Sequence, residues 1–336
     1  MSESNEGNIG EVAEEQREFF GTTKDGAKVF SHADSHLHAE GGMTLDLLAA
    51  ALHTIDTQGE RFIRKQIDFE HAIGKSNCME LRPDDDVVMV FRKGRSGPTP
   101  MVKNREPQPC NSMMVVLLKD ESLTEDGNAY VLITAFIGEA APREPWDPGN
   151  KNEAECQECE DYWNSHAIVY DESLIDLEKT EAFANMSEEE RQIELLGAKT
   201  EYCGLFLDSE SLYFQVPATL EHQIEYPHVT IGYRPGAENL KLDQLGSGAK
   251  ITAIGYGNNE RVEGLLVRVE ADDPVVQQAC DNYEVPLHIT LSHAEGALAK
   301  ETGWLEFQEL DEPIELTGTY GLFVQGKVVT DKTEAK

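Results

Sequence analysis

Positive charge is what this chain has least of. Its 336 residues include 28 Lys and Arg against 63 Asp and Glu, a formal net charge of -35. Such a surface repels a polyanion at long range, which disfavours broad binding to duplex nucleic acid, because that binding depends on basic side chains releasing counterions. Long duplex DNA is therefore not an expected partner, although a local basic cleft for a short nucleic acid remains compatible with the charge. Long apolar runs are missing too. Nothing approaches the roughly 18 to 20 apolar residues that span a bilayer, and the opening MSESNEGNIGEVAEEQREFF is acidic and polar where a secretory leader is basic and then apolar. No membrane partner and a cytoplasmic location are the expectations. Cysteine is sparse: Cys78, Cys110, Cys156, Cys159, Cys203 and Cys280 are scattered as reduced, mostly buried thiols would be, not clustered as a disulfide framework.

What is present is a globular composition, 40% hydrophobic, in a chain long enough at about 150 residues per domain for two domains with separate cores. The expected fold class is α+β. Residues 1–15 read as a disordered acidic tail, 16–145 as an α+β domain with an antiparallel sheet, 146–195 as an acidic linker and helix, 196–328 as a second α+β domain and 329–336 as a polar tail. In the first block TLDLLAAALHTI predicts a helix with Thr44 as its N-cap, and VVMVFRK, NSMMVVLLKD and AYVLITAFIG predict strands. Ser187 followed by an acidic turn predicts a second capped helix. The second block is dense in short predicted strands: YCGLFLD, SLYFQV, HVTIGY, KITAIGYG, EGLLVRVE, HITLSH, PIELTG and YGLFVQGKVV.

One doublet carries chemistry. EYPHVTIGYRPG places His228 two residues before Thr230, and EVPLHITLSHAEG places His288 two residues before Thr290. Residues i and i+2 of a strand share a face, so each motif is a polar pair on an apolar strand. Both motifs follow a proline closely, both continue with an aliphatic residue, and a strand-rich stretch separates them. This arrangement resembles the two-histidine (2H) phosphoesterase superfamily, closest to the cyclic phosphodiesterase domain of fungal and plant tRNA ligases, over about residues 200–327.

That resemblance implies a bilobal α+β domain and a metal-independent 2',3'-cyclic phosphodiesterase of RNA processing or repair, with no cofactor, acting on RNA 3' ends or small cyclic nucleotides. His228 and His288 would split the base and acid roles in either order, since imidazoles titrate near neutrality. Thr230 and Thr290 would donate to the non-bridging phosphate oxygens. The family's usual product is a 2'-phosphate. Arg234, just beyond the first motif, is the candidate phosphate contact, with Tyr233 and His293 as further cleft candidates. Cleavage of cyclic oligonucleotide signals and non-catalytic binding of a nucleotide or RNA are the alternatives.

The first block concentrates scarce cations, Arg82, Arg92, Lys93, Arg95, Lys103 and Arg105, either as a phosphate-binding surface or as partners of Asp84, Asp85, Asp86 and Glu106. Its last strand, YVLITAFIG, resembles the closing strand of the barnase, endoU, colicin and RelE ribonuclease-like folds, which would implicate His71, Arg95 and Thr134 in a metal-independent RNA-cleaving site. An attack by the ribose 2'-hydroxyl there would generate the cyclic phosphate that the second domain removes. Two metal-like patterns, His36-x-His38 and Cys156-x-x-Cys159 with His166, lack the further ligands that a barrel or closed zinc site needs. Trp146, Tyr162 and Trp163 either stack bases or pin the linker to a domain.

Overall fold

The computed structural model describes residues 17–334 apart from 32–35 and 38–39, so the acidic N-terminal tail and His38 lie outside the described residues. The chain is mixed α+β and separates into two compact units of non-contiguous segments. Unit 1 comprises the residues up to Asp86, Val102–Ala141 and His166–Tyr170; unit 2 comprises Val87–Met101, Pro142–Ser165 and the chain from Asp171 onward.

In unit 1, strands β1 (Phe19–Thr22) and β2 (Lys28–Phe30) precede helix α1 (Leu45–Leu52), and with β3 (Phe62–Asp68), β4 (Ser112–Lys119) and β5 (Ala129–Ile137) they form a sheet ordered β1-β2-β5-β4-β3, to which the two-residue strand His36–Leu37 adds beside β5. Thr44 caps α1 as expected, its hydroxyl accepting from the Leu47 amide at 3.2 Å. The apolar side of the helix, Leu48, Ala51 and Leu52, packs with Ile63, Val115, Leu117, Tyr130 and Leu132. The sheet is not wholly antiparallel. Strand β2 runs parallel to β5, with Tyr130 opposite Val29, because about a hundred intervening residues give the chain length to return in the same direction. The predicted strand Val87–Phe91 forms, but outside this sheet, in a segment grouped with unit 2.

Unit 2 contains α2 (Glu153–Ser165), α3 (Leu177–Asn185) and α4 (Glu188–Lys199), all within the acidic stretch. Ser187 and Glu190 complete a capping box at the start of α4, each side chain bonding the other's backbone amide. Then follow β6 (Thr200–Phe206), α5 (Ser209–Gln215), β7 (His228–Tyr233), β8 (Gly248–Asn258), β9 (Val262–Ala271), α6 (Pro274–Asp281), β10 (His288–His293), β11 (Gln308–Val324) and β12 (Lys327–Val329). Pairing runs β6-β7-β10-β9-β8-β11, and β11 pairs back onto β6, so six strands close into a ring. SLYFQV, expected as a strand, is the helix α5: the Asp208 side chain accepts from the Ser211 amide at 2.8 Å, and that cap decides for helix over aromatic strand propensity. PIELTG and YGLFV are parts of one strand, β11, of 17 residues.

The core lies on one face of the histidine strands. Leu205, Val229, Ile231, Leu265, Ile289 and Leu291 cluster with Leu212 of α5 and with Val276 and Cys280 of α6. Each fully buried aliphatic side chain contributes about 1.5–3 kcal/mol. A slip of one residue in either strand would expose Val229 or Ile289 and bury His228 or His288, so burial fixes which face carries the polar residues. Among the described residues no helix is long and apolar enough to cross a membrane.

Candidate functional site

Strands β7 and β10 are antiparallel neighbours, with Val229 directly opposite Ile289. His228, Thr230, His288 and Thr290 therefore share the face opposite the core. The two strands pair at that one position, and each histidine immediately precedes it, so His228 and His288 flank the crossing from opposite strands.

The two half-sites repeat each other. Each is a strand, a helix and a returning strand: β6-α5-β7 and β9-α6-β10. Gly204 pairs with Thr230 and Gly264 with Thr290; Leu205 pairs with Val229 and Leu265 with Ile289; Phe206 pairs with His228 and Leu266 with His288. One offset of 60 residues relates every member of the first set to the second. Both strand pairs shift register just before the glycine, between Cys203 and Gly204 and between Glu263 and Gly264. A Cβ added at Gly204 would lie 2.5 Å from the Val229 carbonyl oxygen, and one at Gly264 the same distance from that of Ile289. Close backbone approach, not a turn, demands glycine at both positions.

Each histidine is oriented by its own chain. His228 Nδ1 lies 2.8 Å from the Tyr226 carbonyl oxygen and His288 Nδ1 lies 2.8 Å from that of Pro286. A carbonyl only accepts, so Nδ1 carries the hydrogen in both rings and the neutral tautomer leaves a lone pair on Nε2. Burial pushes the His228 imidazole down to about 4, opposed by its bond to the Tyr226 carbonyl and reinforced by nearby His288. Burial likewise lowers His288, against the favourable contact with the Pro286 carbonyl. Both rings are thus held neutral, and an anionic phosphate between them would raise their affinity for a proton.

The threonines differ. Thr290 Oγ1 donates to the Thr302 hydroxyl at 3.1 Å or the Ala299 carbonyl at 3.3 Å, whereas the Thr230 hydroxyl has no hydrogen-bond partner among the described residues. The short 3-10 helix Ala299–Trp304 supplies those partners. Within it, a Cβ on Gly303 would contact the His288 ring at 3.4 Å, and Trp304 next to it is 75% exposed.

Arg234 stands six residues beyond His228, about 20 Å of extended strand. It lines a cavity of about 240 Å³ with Lys179, Glu194, Gly197, Thr200 and Glu238. His293 ends β10 with its ring 5.1 Å from that of His222, and Tyr233 is exposed.

The ribonuclease-like set divides between the units. His71 is on an exposed loop of unit 1, Thr134 is half-buried on β5 opposite Val116, and Arg95 belongs to unit 2. Several cations of that region are tied up: Arg92 bonds Glu144 at 2.5 Å, Arg105 bonds Asp85 at 3.1 Å, Lys93 bonds the Ser173 carbonyl and Lys103 sits 5.3 Å from the Tyr170 ring centre. Cys156 and Cys159 are one helical turn apart on α2, and no group of three His, Cys, Asp or Glu among the described residues is arranged to hold a metal. Trp146 and Trp163 donate their indole N–H groups to the carbonyls of Pro98 and Arg143, at 2.7 and 3.0 Å, as aromatics pinning a segment do.

Sequence reasoning missed the aromatic wall of His228. Tyr202 stacks on its ring at a centroid distance of 4.2 Å and an angle of 14°, and Phe206 lies 5.4 Å away. The alternation Tyr202-x-Gly204-x-Phe206 was the available signal: two aromatics and a glycine on one strand face. Also missed was Glu263, fully buried behind β10 and bonded by Thr219, Tyr256, Asn258 and Ser292. No protein-family model matches the chain, and no curated protein matches it in sequence.

Proposed function

We propose that unit 2 is a two-histidine phosphodiesterase that opens 2',3'-cyclic phosphates on RNA ends or small nucleotides. The observation that carries this reading is the repeated half-site: His228 with Thr230 and His288 with Thr290, on one face of adjacent strands, each histidine held in the same tautomer by the carbonyl two residues before it.

The arrangement supplies what an in-line displacement needs. One imidazole Nε2 takes a proton from water as the water oxygen bonds to phosphorus. The other, protonated once the phosphate is bound, gives its proton to the ribose oxygen as the bond from phosphorus to that oxygen breaks. Charge and atoms balance, and the first histidine leaves carrying the water's proton. Thr230, with its hydroxyl uncommitted, is the readier donor to a non-bridging oxygen, and Thr290 donates by exchanging its bond to Thr302. Each acid or base contributes about 10²–10⁴-fold.

The test is hydrolysis of an oligonucleotide ending in a 2',3'-cyclic phosphate by the full chain in EDTA, beside His228→Ala and His288→Ala. The expected result is turnover by the parent and a loss of at least about a hundredfold in each variant. Binding of the oligonucleotide without turnover would replace this reading with a nucleotide-holding cleft. Turnover of cyclic dinucleotides alone would move the substrate class to cyclic signals.

A further inference from the structure

The half-sites repeat their backbone but not their surroundings. His288 faces Leu266 across the strand pair, while His228 faces Phe206 and carries Tyr202 on its ring. Behind Tyr202, Phe323 of β11 stacks at 4.8 Å and 7°, and Lys151 Nζ lies 5.6 Å from the Phe323 ring centre. Strand β6 lies between β7 and β11, so His228 and Phe323 cover opposite faces of the Tyr202 ring. The result is a column across three strands ending on the imidazole.

A single hydrogen bond does not fix a histidine ring. The Tyr226 carbonyl sets where Nδ1 lies, but the ring still pivots about that contact, since the terminal torsion of histidine has broad wells. A flat partner on the ring face removes the pivot. We propose that Tyr202, backed by Phe323, is a positioning residue for His228: it locks the imidazole plane, aims Nε2 in one direction and closes that ring face to water. No aromatic partner of this kind stands on His288 among the described residues, so the two histidines are unequal by construction.

Any titration of His228 is read against the groups that face it. These are Glu201 of β6, which bonds Lys151, and His288 of β10, beside the Tyr226 carbonyl that holds Nδ1. All of them keep their identity in the variants, and Lys151, the partner of Glu201, loses its contact with the Phe323 ring only in Phe323→Leu.

The activity readout rests on the proposed phosphodiesterase function; the titration readout does not. The experiment is an NMR titration of the histidine rings of the full chain, with the pH dependence of cyclic nucleotide hydrolysis, for the parent, Tyr202→Phe, Tyr202→Leu and Phe323→Leu. Tyr202→Phe keeps the stack and is expected to keep both profiles. Tyr202→Leu admits water and is expected to raise the His228 midpoint by about one pH unit, leave that of His288 in place, and lower kcat about tenfold with KM within about threefold. Phe323→Leu, which keeps Tyr202 itself, is expected to move the His228 midpoint the same way by a smaller step, and it decides the matter if Tyr202→Leu does not fold. An unmoved His228 midpoint in the folded leucine variants overturns the proposal, as does a Tyr202→Phe variant as impaired as Tyr202→Leu, which would move the role to the hydroxyl. A parent without turnover overturns the phosphodiesterase reading alone, and the titration still decides on Tyr202.

Discussion

Thr290 and Thr302 share a hydrogen bond of 3.1 Å, while Thr230, the residue equivalent to Thr290 in the repeat, keeps its hydroxyl unbonded among the described residues. The contrast separates folding from chemistry. Thr302 is fully buried, so Thr302→Val leaves Thr290 only the longer contact with Ala299 and is expected to cost about 1 kcal/mol in urea unfolding. Thr230→Val loses no protein hydrogen bond and is expected to change stability by less than about 0.5 kcal/mol, yet to lower kcat for a cyclic phosphate about tenfold or more.

The neutral histidines make stability depend on pH. His228 protonates near 4 when folded and near 6.5 when unfolded, so between those values the unfolded chain binds more protons. Stability is therefore full above about pH 6.5 and falls as pH drops toward 4, by no more than about 1.4 kcal/mol per unit from this group. His288, lowered for the same reason, adds to the slope. Urea unfolding at pH 7 and pH 5 is expected to show a smaller difference for His228→Asn than for the parent.

Glu263 is a fully buried carboxylate with neutral partners. Burial alone would raise its pKa, but the bonds from Ser292, Thr219 and Tyr256 outweigh it and hold the carboxyl below its usual range. It ties the segment around Thr219 to β10 through bonds of 2.5 Å from the Thr219 amide and hydroxyl. Glu263→Ala orphans the fully buried Ser292 hydroxyl and removes the bonds from Thr219, Tyr256 and Asn258, and is expected to destabilise by about 2 kcal/mol or more, with Glu263→Gln costing less, in denaturant unfolding.

The glycines of the repeat make a paired prediction. Gly204→Ala and Gly264→Ala each drive a Cβ against a carbonyl oxygen on the neighbouring histidine strand. Each is expected to cost about 1–3 kcal/mol and to lower turnover by displacing the strand that carries the adjacent threonine.

Much of this was legible in the sequence, and the rest was hidden for identifiable reasons. The alternation in HVTIGY and HITLSH fixed the polar face of both strands, because burial of Val229 and Ile289 leaves a strand only one way to face. The caps at Thr44 and Ser187 were readable because capping is local chemistry. The cap on α5 was equally local, but Leu212, Tyr213 and Phe214 resemble a strand unless Asp208 is weighed first. The parallel pairing of β2 with β5 and the stacking of Tyr202 on His228 are long-range contacts, which no local pattern encodes. The repeat was half visible. The His-x-Thr doublet stood out, while its partner, Gly-Leu at 204 and 264, gains meaning only when paired across the sheet.

The closure of the six strands has a consequence for what can dock. Strand β7 lies between β6 and β10, and β10 between β7 and β9. An open sheet offers backbone amides and carbonyls along its rim, and extended peptides bind there by adding a strand. At the Val229–Ile289 crossing there is no such rim, because Val229 also pairs with Leu205 and Ile289 with Leu265. Whatever sits over that crossing is therefore selected by side chains, a mode suited to a compact anion.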